Sequence, residues 1–249
     1  MRDLTIQERT AMEAVARHFA ATWEKDGLTV ARKHVAVHLR TLPRRGTGHG
    51  KEVKPRLRFD KVVLRLMERL QGTLGEIMPE GTTVLLTVTA PIRLALKTAA
   101  ALEEKIHTLL KPESMGRDEK ATIQGNRVHI RLLRNQFRRA PRMIGFVHNP
   151  GTDPLLLFNM TGELLELAGA ESFSQATKPA NNENDEWLVL ITARGSSCLE
   201  AYRYIYSQLP MPTGYQKVLM VFGDGSVETL CFSLPMGVRS LLDALKPYR

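Results

Sequence analysis

The chain contains 249 residues, of which 43% are hydrophobic and 24% are charged, so a globular core is expected and an intrinsically disordered chain is excluded. The first residues form no apolar run of the signal-peptide kind, and no uninterrupted apolar stretch approaches the roughly 18 residues that a membrane span needs. The two cysteines, Cys198 and Cys231, have no ligand-like spacing. We therefore expect free thiols in a cytoplasmic protein that makes no membrane contact.

Positive charge is concentrated in two blocks of the sequence. The net charge is +9. Residues 28–69 contain twelve Lys or Arg against three Asp or Glu, and residues 111–142 contain nine against three. Residues 144–190 are acidic, with one lysine against seven carboxylates. This segregation predicts a face that binds a polyanion, or a face that meets the acidic part of the same protein.

The first half of the chain predicts alternating helices and strands. Thr5 and Glu8 form a capping box, and apolar residues at helical spacing continue to Trp23, so a first helix is expected to end at Gly27. Residues 111–125 are polar and are predicted to form a loop. Between the first helix and this loop, the expected elements are a hairpin of residues 28–30 and 35–39, a helix over 59–78 with one buried stripe, a strand over 83–89 and a helix over 94–110.

Three continuous apolar runs characterise the second half of the chain. They span residues 143–147, 187–191 and 218–222, and such runs are typical of strands that are buried on both faces in a parallel sheet. The other elements expected here are an alternating strand over 127–134, helices over 155–168, 197–209 and 236–245, and a strand over 227–232 that follows a tight turn.

These elements predict an α/β fold. We expect a mixed, largely parallel sheet covered by helices in the C-terminal half, preceded by an α+β unit at the N-terminus. The corresponding domains are a basic α+β region over residues 1–115 and an α/β region over residues 116–249, and the two could form one continuous domain.

Signatures of several catalytic families are absent from the sequence. It contains no Walker phosphate-binding loop and no GxGxxG, GxSxG, HExxH or CxxC motif. His34 and His38 lie four residues apart on one strand with no carboxylate between them, so they are interpreted as surface histidines and not as metal ligands. We therefore expect no metal and no cofactor, and we assign no catalytic residue.

A short segment after the second apolar run is a candidate anion-binding site. Arg194, Gly195 and Ser196 follow a buried strand and precede a helix, and helix N-termini attract anions. These three residues could hold a phosphate. The alternative is that Ser197 caps its helix and that Gly195 only allows the turn.

The order of elements from Thr5 to Thr89 resembles part of the restriction-endonuclease-like nuclease core. In that family a strand carries a carboxylate, any residue and then a lysine, whereas His38, Leu39 and Arg40 stand at the corresponding place here. A histidine and an arginine supply no anionic oxygen for Mg²⁺. The resemblance therefore implies a copy that is inactive as a metal-dependent nuclease.

Arginine-rich strands and loops carry the strongest functional signal. Arginine is used here more than lysine, and its planar fork suits phosphate oxygens. The alternating pattern places Arg127, His129 and Arg131 on the outward face of their strand. The candidate nucleic-acid-binding residues are Arg44, Arg45, Lys51, Lys54, Arg56, Arg58, Arg127, His129, Arg131, Arg134, Arg138, Arg139 and Arg142.

Three functions remain open at this stage. The first is binding of DNA or RNA through phosphate contacts without base specificity, since no helix-turn-helix or zinc finger is present and aromatic residues are scarce. The second is a non-catalytic adaptor that binds protein partners or associates with itself. The third is an enzyme, or a degenerate nuclease-like protein, that binds a phosphorylated ligand.

Overall fold

A computed structural model describes residues 4–24, 27–43, 54–111, 118–134, 140–169, 185–209 and 215–232. The chain divides into two compact units. The first consists of Met1–Arg44, Glu171–Leu199 and Met211–Arg249, and the second of Arg45–Ala170 and Glu200–Pro210. The boundary predicted between residues 115 and 116 falls in a range outside the described residues, so the predicted division there stays a prediction.

Five α-helices and ten strands make up the described part of the chain. In chain order they are α1 (Ile6–His18), β1 (Thr22–Glu24), β2 (Gly27–Val30), β3 (Lys33–Thr41), α2 (Lys61–Ile77), β4 (Thr82–Thr89), α3 (Ala95–Leu109), β5 (Asp118–Ile123), β6 (Asn126–Arg134), β7 (Met143–His148), α4 (Pro154–Gly169), β8 (Asp185–Ile191), α5 (Leu199–Gln208), β9 (Lys217–Val221) and β10 (Val227–Phe232). A 3-10 turn over Ser196–Cys198 precedes α5.

The first unit contains a six-stranded mixed sheet with the strand order β1-β2-β3-β8-β9-β10. The pairs β3–β8 and β8–β9 are parallel, and the other three pairs are antiparallel. Apolar residues of α1, among them Met12 and Val15, share one buried cluster with sheet residues such as Val189 and Leu219. Burial of this apolar face stabilises the unit.

The second unit contains a four-stranded mixed sheet with the strand order β5-β6-β4-β7. Only β4 and β7 are parallel, and the other described pairs are antiparallel. One face carries Val84, Leu86 and Val88 of β4, which share a buried cluster with Leu70 of α2 and Leu102 of α3. Alternate residues of each strand point to the opposite face.

The largely parallel C-terminal sheet is not confirmed, although the α/β class is. The apolar run at residues 143–147 forms β7 of the second unit, whereas the runs at 187–191 and 218–222 form β8 and β9 of the first. An apolar strand is compatible with either sheet, so its sequence does not select the partner. The predicted loop over residues 111–125 is wrong, because residues 118–123 pair with β6 as β5.

Two predictions about individual helices are corrected. The capping box of Thr5 and Glu8 is present, but α1 ends at His18 because Ala20 adopts a left-handed conformation with φ of 49°, and Trp23 lies in β1. In α2 the predicted buried stripe is too wide. Three residues predicted for the stripe are exposed: Val62 by 50% and Ile77 by 45% within α2, and Phe59, which precedes the helix, by 43%.

Two predictions concern residues outside the described ranges. These are the last helix over 236–245 and the boundary region at 115–116. Among the described residues no helix is both long enough and apolar enough to cross a membrane.

Candidate functional site

A band of polar side chains lies on the face of the second unit's sheet that points away from α2 and α3. Thr87 of β4 is directly opposite His129 of β6, and His129 is directly opposite Lys120 of β5. Residues two positions apart on a strand point to the same face, so Arg127 of β6 and Thr89 of β4 also belong to this band. The band therefore lies where the parallel strands β4 and β7 end, which is the edge at which α/β sheets bind ligands.

An open cavity of about 430 Å³ is formed at this band. Its volume lies within the range of about 300–1,000 Å³ that is usual for small-molecule and cofactor sites. Eight of its twelve lining residues have polar side chains, although apolar atoms supply most of the exposed lining surface, and every lining residue belongs to the second unit. The lining residues are Thr87, Thr89, Lys120, Ala121, Thr122, Arg127, Val128, His129, His148, Pro150, Thr152 and Pro154. We call this cavity the sheet-end pocket.

His148, the last residue of β7, has a defined tautomer. Its side chain is buried, with only 1% of the residue exposed. Nδ1 lies 2.9 Å from the backbone oxygen of Asn149, and because a carbonyl oxygen only accepts, Nδ1 carries the hydrogen and donates it. Nε2 therefore keeps its lone pair, and no described residue hydrogen-bonds to it. His148, which lines the sheet-end pocket, thus carries a buried acceptor that no described residue uses.

His129 is the second buried histidine of the pocket. It is 4% exposed, and neither of its ring nitrogens has a hydrogen-bond partner among the described residues. Its Nε2 lies 3.7 Å from Oδ1 of Asp118, and its ring packs on Phe158 of α4 with the centroids 4.7 Å apart. The prediction that His129 points outward into solvent is wrong, because α4 covers this face of the sheet at Phe158.

Both histidines are held in the neutral form at neutral pH. Desolvation lowers the pKa of His129, and the nearby Asp118, which raises it, does not compensate. Desolvation also lowers the pKa of His148, against the opposing effect of the bond to Asn149. The positive charge of Arg127 lowers the pKa of His148 further.

Two cations stand at the pocket. Lys120 and Arg127 line it, are exposed to solvent, and form no ion pair with any described carboxylate. The N-terminus of α4 is close by, since Pro154 also lines the pocket, and the Asp153 side chain accepts a hydrogen bond of 2.9 Å from the N–H of Leu155. The carboxylate of Asp153 thus offsets the positive end of the helix dipole at this place.

Asn126 fixes the start of β6, and so the position of Arg127. It is 1% exposed, and its Oδ1 accepts a hydrogen bond of 2.7 Å from the N–H of Arg93. Its Nδ2 donates to the backbone oxygen of Arg93 and to the hydroxyl of Thr98, each at 2.9 Å. The turn between β5 and β6 is thereby tied to the start of α3.

Other predicted phosphate-binding cations already have partners within the protein. Arg131 forms a bidentate pair with Asp118, and its guanidinium lies 5.3 Å from the ring centroid of Phe158. The Arg131 bond lowers the pKa of Asp118, against the opposing effect of burial. Arg58 pairs with Asp60 at 2.9 Å, and Arg142 donates a hydrogen bond to a backbone oxygen.

The remaining predicted cations fall into two groups. Lys54, Arg56 and Arg134 are described and exposed. The backbone N–H of Arg56 donates at 3.1 Å to the hydroxyl of Thr152, which lines the sheet-end pocket. Outside the described residues lie Arg44, Arg45, Lys51, Arg138 and Arg139.

The predicted anion site at Arg194, Gly195 and Ser196 is built around an internal carboxylate. Oδ2 of Asp224 accepts a hydrogen bond of 2.8 Å from the N–H of Ser196. Arg194 is 6% exposed. Partial burial raises the pKa of Asp224, but hydrogen bonds from Ser226 and Ser196 lower it by more, so the group stays ionised. An external phosphate would have to displace Asp224.

The segment that resembles a nuclease core is divided between the units. Residues 5–41 supply α1 and β1–β3 of the first unit, whereas α2 and β4 belong to the second. His38 lies 3.5 Å from Glu186 of β8. The described residues include no group of three or more His, Cys, Asp or Glu that could hold a metal ion.

Sequence reasoning missed most of the sheet-end pocket. His148, Thr87, Thr89 and Lys120 were not among the candidates. A signal was available in the polar residues at the carboxyl ends of two predicted strands, Thr87 and Thr89 on one and His148 on the other.

Comparison of the chain with known protein families, with curated proteins and with solved structures finds no match.

Proposed function

We propose that this protein binds nucleic acid through phosphate contacts, and that Lys120 and Arg127 at the sheet-end pocket make two of them. The observation that supports the proposal is that both cations are exposed and unpaired among the described residues, beside an open cavity at a sheet edge. Neither cation is needed to neutralise a described carboxylate. Both are therefore available to an external polyanion.

The chemistry of the surrounding groups suits a phosphate. The guanidinium of Arg127 offers two parallel donors to phosphate oxygens, and Lys120 offers a mobile point charge. The N-terminus of α4 also lies here, but the carboxylate of Asp153 already accepts from it, so Lys120 and Arg127 supply the attraction for a phosphate. Exposed Arg56, which is bonded through its backbone to Thr152 of the pocket wall, extends the positive surface.

The experiment measures binding of labelled single-stranded RNA, single-stranded DNA and duplex DNA at about 50 mM and about 200 mM salt. The test variant carries Lys120→Ala and Arg127→Ala. The control variant carries Lys61→Ala and Arg65→Ala, which removes the same charge from exposed positions of α2 on the opposite face of the same sheet. A comparison of the two variants separates a contact at the pocket from the effect of net charge.

We expect salt-sensitive binding by the natural protein and by the control. In the test variant the slope of log affinity against log salt for a single strand should become shallower by about 1.4, because two phosphate contacts are lost. Equal slopes in both variants would remove the pocket from the interface. Absence of binding at low salt together with a salt-resistant oligomer would instead support the adaptor function.

A further inference from the structure

We propose that the sheet-end pocket holds a ribonucleotide unit, with its phosphate at Lys120 and Arg127 and its ribose 2′-hydroxyl donating a hydrogen bond to Nε2 of His148. The statement that the ligand is part of a nucleic acid rests on the proposed function. The contact of the pocket with one ribonucleotide does not depend on it, because a free nucleotide could make the same contact. Phosphate contacts alone cannot distinguish a ribonucleotide from a deoxyribonucleotide, whereas a contact to the 2′-hydroxyl can.

The first step concerns the unused acceptor on His148. A buried polar atom that lacks a hydrogen bond costs free energy, so a ligand donor that reaches Nε2 is favoured by more than an ordinary surface contact. Because Nδ1 already donates to Asn149, Nε2 cannot donate to a ligand in the neutral ring. It therefore requires an O–H or N–H group. A phosphate oxygen, which only accepts, does not meet that requirement.

The second step concerns the charge of the two rings. Lys120, Arg127 and Arg131 surround the histidines with positive charge, while Asp118 and Asp153 are the carboxylates that oppose it. The desolvated rings remain neutral in this environment. The cations at the pocket thus supply attraction for an anionic group, and the histidines supply hydrogen bonds to an uncharged one. The ligand must carry both kinds of group.

The third step joins these requirements in one molecule. A nucleotide carries a phosphate and, in RNA, a free hydroxyl on the same sugar, and in a polymer the 2′-hydroxyl is the one that is not esterified. His129 adds a donor and an acceptor that no described residue uses. Thr87, Thr89 and Thr122 line the pocket and carry further hydroxyls. A cavity of about 430 Å³ is large enough for a ligand of this class.

The test compares short oligoadenylate with short oligodeoxyadenylate, and adenosine 5′-monophosphate with its 2′-deoxy form. His148→Asn keeps a donor near the position of Nδ1 and removes Nε2. His148→Gln places an amide near the position of Nε2 and serves as the conservative variant. His107→Asn, an exposed position on α3, is the matched control.

We expect the natural protein and the control to bind oligoadenylate about tenfold more tightly than oligodeoxyadenylate, because the deoxy ligand leaves Nε2 without a partner. His148→Asn should bring this ratio close to one without changing the affinity for oligodeoxyadenylate. His148→Gln should restore part of the ratio. A changed fold would instead alter both affinities together.

The outcomes separate the two proposals. Salt-sensitive binding of both polymers with a ratio of one would retain the proposed function and overturn this inference. No binding of either polymer, with adenosine 5′-monophosphate bound more tightly than its 2′-deoxy form, would identify a free nucleotide as the ligand and overturn only the proposed function. No binding of any of the four probes would overturn both.

Discussion

The imidazole of His129 packs against the ring of Phe158 at an interplanar angle of 56°, with the ring centroids 4.7 Å apart. Phe158 is 1% exposed and lies one turn inside α4. The same ring lies under the guanidinium of Arg131, which is itself paired with Asp118. Phe158 therefore attaches α4 to the sheet face that carries the sheet-end pocket, because its ring contacts both His129 and the charged pair of Arg131 and Asp118.

Phe158→Ala should lower the free energy of unfolding by about 3–5 kcal/mol, because it removes a fully buried aromatic ring and leaves a cavity beside His129. Urea unfolding at neutral pH measures the change. Leu155→Ala, on the same helix at a position 39% exposed, is the control and should cost less than about 1 kcal/mol. Equal losses in the two variants would show that α4 is not held through Phe158.

The free energy of unfolding should fall as the pH is lowered below 6.5. An unfolded histidine binds a proton near pH 6.5, whereas burial lowers the folded-state pKa of His129 and His148. The unfolded state then binds more protons than the folded state, so stability is lost as pH falls toward the lowered pKa values. Urea unfolding across this range, with NMR titration of the ring protons, measures the effect.

The double variant His129→Phe and His148→Asn should reduce this acid-dependent loss, since it removes the two groups responsible. His107→Asn, at an exposed position, is the control for the substitution of a histidine as such. Ring resonances of His129 and His148 that titrate at or above pH 6.5 would contradict the prediction directly.

Asp224→Ala should lower the free energy of unfolding by about 1 kcal/mol at neutral pH, which is the usual cost of removing a side chain that caps backbone N–H groups. Oδ2 accepts from Ser196, and Oδ1 accepts from the backbone of Ser226 at 3.0 Å. These bonds hold the pKa of Asp224 below its ordinary value of 3.8, against the opposing effect of partial burial.

The pH dependence gives this prediction a second readout. A carboxyl group with a lowered pKa stabilises the folded state above its unfolded pKa, and the stabilisation is lost as pH falls through the folded value. The difference between the natural protein and Asp224→Ala should therefore stay constant from neutral pH down to about pH 4. A difference that shrinks well above that pH would mean that the carboxylate is not held by these bonds.

Asn126→Ala should lower the free energy of unfolding by about 1–3 kcal/mol, because it removes a buried amide that is hydrogen-bonded to the backbone of Arg93 and to the buried hydroxyl of Thr98. Gln124→Ala, an exposed neighbour in the same turn, should change it by less than about 0.5 kcal/mol. Thermal unfolding measures both. A small effect of Asn126→Ala would show that the turn does not depend on this amide.

Local patterns predicted most of the elements correctly. The capping box of Thr5 and Glu8 and the alternation along β6 depend on neighbours in the sequence, and both are present in the structure. Strand partners depend on contacts between distant residues, and similar apolar runs suit either sheet. That is why β7 could not be separated from β8 and β9 by inspection of the chain.

The candidate site shows the same limit more sharply. Arg127 could be predicted as an exposed cation, because alternation along a strand gives its direction. The same alternation placed His129 outward, and only the packing of Phe158 from α4 shows that this face is covered. Nε2 of His148 is an acceptor because Nδ1 donates to Asn149, and no pattern in the sequence predicts that hydrogen bond.

The interleaved segments of the two units set an order for events on the ribosome. All residues of the sheet-end pocket lie between positions 87 and 154, so they are synthesised before β8, at residues 185–191. Until then the β3 edge that later pairs with β8 has open backbone groups. At a synthesis rate of about 5–20 residues per second, residues 42–184 take about 7–30 s to make, and the β3 edge is open to pairing with other chains for that time.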